Sequence, residues 1–113
     1  MEKRSLKDIL SSPKYWVKRT LARTKSRLNV VPGDNRAVQW CLVGAVWKVC
    51  GTPNSPRARR IIAKLATAIG TNPLWEGRVG PDAYNSWLVC VEFNNHRKTK
   101  FGDIQELIEK AKV

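Results

Sequence analysis

The chain is 113 residues long, about the size of one domain, and its 42% hydrophobic and 27% charged side chains exclude a disordered polymer and fit a folded globule. Lys and Arg number 21 against 9 Asp and Glu, a net charge of +12 with a pI near 10.2. A field of that sign favours a polyanionic partner, nucleic acid first and an acidic protein surface second.

No apolar run approaches the roughly 20 residues of a membrane span, and the opening M-E-K-R-S-L-K-D-I-L carries no apolar signal region. Three cysteines, an odd number, with no secretory signal ahead of them, predict free buried thiols in a reducing bacterial cytoplasm. Neither a membrane nor a small-molecule substrate is expected as a partner.

In chain order, Ser5 ahead of Leu6, Ile9 and Leu10 predicts a short helix, with Asp8 completing a weak capping box. Ser12 and Pro13 are a cap and first-turn pair, and the spacing predicts a second helix to about residue 27. V-V-P-G-D-N, residues 30–35, is a turn of type II character. A helix over 36–50 follows, apolar nearly all round, and stops at Gly51. Ser55 and Pro56 open another, with Ile61, Ile62, Leu65, Ala66 and Ile69 on its inner face up to Gly70. After a Gly- and Pro-rich loop, residues 83–93 read as helix, the reading favoured by the helical surroundings, with a short strand at 87–93 as the alternative that the alternation in W-L-V-C-V-E-F also fits. Thr99 is the candidate cap of a last amphipathic helix in which Phe101, Ile104, Leu107, Ile108 and Ala111 form one stripe. The expected fold is mainly α, a compact single-domain bundle of about five helices around the central apolar one, with a basic region at 1–28 and a core over 36–113.

In a helix over 36–50, Cys41 and Cys50 lie nine positions apart and so half a turn from each other. They share neither a metal nor a disulfide, the chain has no C-x-x-C, and one His completes no zinc set, so no metal and no cofactor is expected. Cys90 with His96 is the one nucleophile and base pair the sequence offers. A small buried hydrophobe is the simpler reading of Cys90, and no enzyme motif accompanies it.

Positive charge is concentrated in three segments. Residues 1–28 hold nine Lys or Arg and two acidic residues, and a helix there would set Arg19, Arg23 and Arg27 in one row. Arg57, Arg59 and Arg60 stand at a helix N-terminus, where the macrodipole disfavours cations. Arg97, Lys98 and Lys100 fill the last loop. Lys14, Lys18, Arg19, Arg23, Arg57, Arg60, Arg97 and Lys98 are the candidate phosphate contacts of a DNA- or RNA-binding surface, with Trp16 a stacking partner.

Two stretches carry a resemblance. V-Q-W-C-L-V-G-A-V, residues 38–46, is similar to the W-C-x-x-G-A core of an uncharacterised family of small bacterial and bacteriophage proteins. V-E-F-N-N-H-R-K-T-K-F-G-D-I-Q-E-L-I-E-K-A resembles that family's tail, an aromatic-Asn-Asp loop with a basic residue and Thr before a closing amphipathic helix, and Y-W-V-K-R-T-L-A-R resembles its N-terminal part. Phe93 stands where the family usually has Trp, and Asn95 where it usually has Asp. The resemblance implies a small helical domain in a bacterial or phage setting and brings no activity. A basic domain that binds nucleic acid without catalysis is the expected function, and a protein-interaction factor, such as a phage inhibitor of a host or defence protein or a virion component, is the alternative.

Overall fold

A computed structural model describes residues 5–71 and 83–113, residues 83–85 by their backbone alone. The elements in order are α1 (Leu6–Ile9), a 3-10 turn (Pro13–Tyr15), β1 (Ala22–Thr24), β2 (Asn29–Val30), β3 (Ala37–Trp40), α2 (Leu42–Cys50), α3 (Pro56–Gly70), α4 (Ala83–Asn95) and α5 (Phe101–Ala111). The protein is mainly α, with five helices and a small three-stranded sheet of order β2-β1-β3 among the described residues, both pairings antiparallel.

The helices follow their local signals. Ser5 Oγ accepts from Asp8 N and Asp8 Oδ2 accepts from Ser5 N, a complete capping box on α1. Ser55 Oγ accepts from Ala58 N to cap α3, with Pro56 in its first turn. Gly51, at φ +78, closes α2 in the left-handed conformation that glycine adopts without strain. In α5 the stripe Ile104, Leu107 and Ile108 is buried as expected. Its cap is Lys100 rather than Thr99: Asp103 Oδ2 accepts from Lys100 N, while Thr99 is buried and its N–H goes to the His96 carbonyl.

Three further expectations are corrected. Residues 13–27 form a 3-10 turn and extended chain, not a helix, so Arg19, Arg23 and Arg27 make no row. As a helix this stretch would stack like charges at i, i+4 with no carboxylate to relieve them, whereas as a strand it buries Ala22 and Thr24 and turns Arg23 outward. The central helix begins at Leu42, not at residue 36. Ala37–Trp40 pairs with β1 through Ala22↔Trp40, Arg23↔Gln39 and Thr24↔Ala37, with Val38 as a bulge. Residues 87–93 are α4 helix, the favoured reading, and the alternative strand is not formed, because Val89, Cys90 and Phe93 share an inner face against α3. Finally, the 31–34 turn is closed by Asp34 N donating to the Val31 carbonyl, but Gly33 lacks the positive φ of type II.

The core joins α2 (Leu42, Val43, Ala45, Val46) to the inner faces of α3, α4 and α5, and Leu6, Ile9, Leu10 and Ala22 from the basic N-terminal region belong to it. One close approach fixes the sheet on α2. Cys41 N donates to the Leu21 carbonyl, and a Cβ at Gly44 would run into that same carbonyl oxygen. The W-C-x-x-G spacing thus has a geometric reason: Cys41 Sγ accepts from Gly44 N to cap α2, and Gly44 leaves room for the strand.

Candidate nucleic-acid interface

The site is organised by Asn94, fully buried at the end of α4. Its Nδ2 donates to the Val17 carbonyl (3.1 Å) and to Asn95 Oδ1 (3.1 Å), and its Oδ1 accepts from Trp16 Nε1 (2.7 Å) and Leu42 N (3.0 Å). All four hydrogen bonds of the amide are made. Leu42 N is one of the free amides at the start of α2, so one side chain ties the 16–17 segment, α2 and α4 together.

Around this clamp two cationic segments meet. Arg19 N donates to Asn95 Oδ1 (2.7 Å), and Lys18 Nζ donates to the His96 carbonyl (2.8 Å), a contact spanning 78 positions of sequence. Lys18 Nζ also lies 5.5 Å from the Trp16 ring, which in turn packs 6.0 Å from Phe101. His96 Nδ1 accepts from Lys98 N, and Arg97 and Lys98 are exposed. Lys18 is therefore fixed by an uncharged acceptor and a ring face, which orient its charge without neutralising it. Among the described residues only Lys7, with Glu109, and Arg36, with Asp34, pair with a carboxylate.

The remaining expected contacts are placed as follows. Lys14 is exposed, its Nζ 5.0 Å from the Tyr15 ring. Arg23 is half-buried on β1, and its Nε–H, shielded from solvent, has no partner among the described residues. Arg57 and Arg60 are exposed on the first turns of α3, about 18 Å and about 14 Å along the helix from Ile69 at the rise of 1.5 Å per residue. Ile69 lines a cleft of about 310 Å³ with Phe93, His96 and Lys98, so the third basic segment lies at the far end of α3 from the 94–98 loop. Asn94 and Asn95 were not among the residues expected from charge. The pointer to them was the aromatic-Asn-Asp pattern, which motif comparison registers and charge counting does not.

Two αL residues sharpen the picture. Arg19 (φ 68) and Arg27 (φ 67) occupy backbone where Gly or Asn is less strained. Arg27 closes the β1–β2 turn, where its N–H donates to the Thr24 carbonyl and Thr24 N donates to the Leu28 carbonyl, a three-residue loop that ordinarily takes Gly at this position.

Cys41 and Cys90 are buried free thiols as expected, whereas Cys50 is only partly buried. Burial pushes Cys90 up to about 12, with the nearby Cys41 adding to the shift, and its Sγ–H donates to the Ile62 carbonyl. Burial likewise pushes Cys41 up to about 11, against the opposing effect of the Gly44 amide. Both stay protonated near neutral pH and pack as small hydrophobes. Among the described residues no His, Cys, Asp or Glu group is arranged to hold a metal, and no helix is long and apolar enough to cross a membrane.

Residues 4–112 match the sequence family described as "Family of unknown function (DUF6197)". The chain belongs to DUF6197. The DUF6197 match takes in both halves of the Asn94 clamp, residues 16–18 and 94–96, and brings no activity with it. No curated protein and no solved structure matches the chain.

Proposed function

We propose that this DUF6197 protein is a non-enzymatic nucleic-acid-binding domain of bacterial or phage origin, working in the bacterial cytoplasm. Lys14, Lys18, Arg19, Arg97 and Lys98 contact phosphates on one face. The observation that carries the reading is the bond from Lys18 Nζ to the His96 carbonyl, which brings two cation-rich segments together although 78 positions separate them. Residues 12–33 contain no Asp or Glu, so that face has no internal counter-charge along this part of the chain. Arginine at two αL positions supports it as well, since strain of about 1 kcal/mol each is retained where the side chain has a use. Trp16 contributes as a rigid base for Lys18 rather than as a stacking platform, because its indole N–H is committed to Asn94 and its ring to Lys18 and Phe101.

Binding to DNA and RNA oligomers titrated against salt tests the reading. For Z phosphate contacts on duplex, log K falls with log salt at a slope of about −0.9Z, and five contacts predict a slope near −4.5 by the same relation. A flat response, or no binding to any nucleic acid at low salt, overturns it.

The second reading, a protein-interaction factor such as an inhibitor of a host or defence protein or a virion component, draws on Leu28, Val31 and Val38. These apolar side chains are exposed around the small sheet. Capture from bacterial lysate with and without nuclease separates the two, since a nuclease-resistant protein partner supports only the second.

A further inference from the structure

The outer face of the sheet carries a row that phosphate binding alone does not use. Asn29, Arg23 and Gln39 are cross-strand partners on β2, β1 and β3, so their side chains share one face. Arg23 is flanked in sequence by the buried Ala22 and Thr24, so that face is the one turned from the core. Asn, Arg and Gln are among the side chains whose donor and acceptor geometry matches base edges in the major groove, Arg pairing with guanine and Asn or Gln with adenine.

The row is partly organised in advance. Gln39 Nε2 donates to the Lys14 carbonyl (3.2 Å), which fixes the amide plane and leaves its second proton and Oε1 for a ligand. Arg23 is half-buried with its Nε–H shielded from solvent, which leaves the terminal guanidinium N–H groups as the ones to meet a base edge. Three strands at about 4.8 Å spacing set the outer members of the row about 10 Å apart, which fits a B-form major groove about 12 Å wide. The deep, narrow major groove of A-form RNA does not admit it. Cations stand at the margins, with Lys25 and Arg27 in the β1–β2 turn and Lys14 beside β3.

Resting on the nucleic-acid reading above, we infer that the Asn29–Arg23–Gln39 row enters the major groove of B-form DNA and reads base edges, which makes the protein a sequence-selective duplex binder. Arg23 selects a guanine at one position, and Asn29 and Gln39 select adenines beside it.

Enrichment from a randomised DNA duplex library, with the selected and scrambled duplexes then titrated side by side, tests this. The expected result is a short consensus containing G and A, with the selected duplex bound at least about tenfold tighter than the scrambled one. Arg23→Gln removes the guanine contact, so the guanine preference at that position is lost or turns to adenine, while the salt slope changes by no more than about 0.9, the value of one charge. Asn29→Ala, at an exposed position, removes preference at a neighbouring base pair and serves if the Arg23 variant does not fold. Binding with no consensus, or an A-form RNA duplex competing as well as DNA, overturns the inference and leaves the basic-face reading standing. Failure to bind any nucleic acid overturns both.

Discussion

The helical part of the molecule, α3 to α5, and the extended part, residues 12–41, solve the same burial problem by different means. In α3 and α5 apolar residues recur every three or four positions, the helix caps come from nearby side chains, and charges occupy the opposite face. In residues 12–41 almost nothing local determines the conformation. The strands are two to four residues long, and they are held by pairing with one another, by Cys41 N on the Leu21 carbonyl, and by Asn94 reaching from α4. A short, cation-rich segment takes its shape from what it docks on. The consequence is a basic surface whose geometry depends on a few buried polar contacts rather than on its own propensity.

That contrast can be broken at its joint. Asn94→Ala leaves Leu42 N, Trp16 Nε1 and the Val17 carbonyl without their partner, and should cost about 3–4 kcal/mol in urea unfolding. A loss under about 1 kcal/mol would mean that the clamp does not hold the two parts together. Gly44→Ala drives a methyl into the Leu21 carbonyl oxygen and should cost about 2–3 kcal/mol, read from the thermal midpoint. The same change at Gly102, where a Cβ meets nothing, should leave the midpoint nearly in place.

The thiols give a pH test within the core. Their folded pKa values lie above the ordinary 9.0, so the folded state holds protons that the unfolded state releases. Stability from this source is complete below about pH 9 and declines as pH rises toward 11 and 12. Cys90→Ala should flatten that alkaline decline, and an unchanged slope across pH 9 to 11 would count against deep burial of the thiol.

The smallest effect on stability belongs to the extended part. Arg19→Gly removes αL strain while adding freedom to the unfolded chain, and the two offset to within about 0.5 kcal/mol. Its binding consequence is specific: the salt slope should drop by about 0.9, the value of one phosphate contact. A large loss of stability with no change in slope would make Arg19 a structural residue alone.

The helix periodicities, the Ser5 and Ser55 caps, the Gly51 stop and the concentration of cations were determined by the sequence alone, because each is a relation between residues a few positions apart. The 12–41 region was not legible in that way. Its Lys and Arg spacing suits a helix on paper, and only pairing with 37–40 gives Ala22 and Thr24 somewhere to be buried. For the same reason the tertiary structure alone decided that Lys18 and Arg19 stand beside His96 while Arg57 and Arg60 lie at the far end of α3. Charge can be counted along a chain, but whether charges share a surface depends on long-range hydrogen bonds, and here Asn94 and Asn95 make several of them.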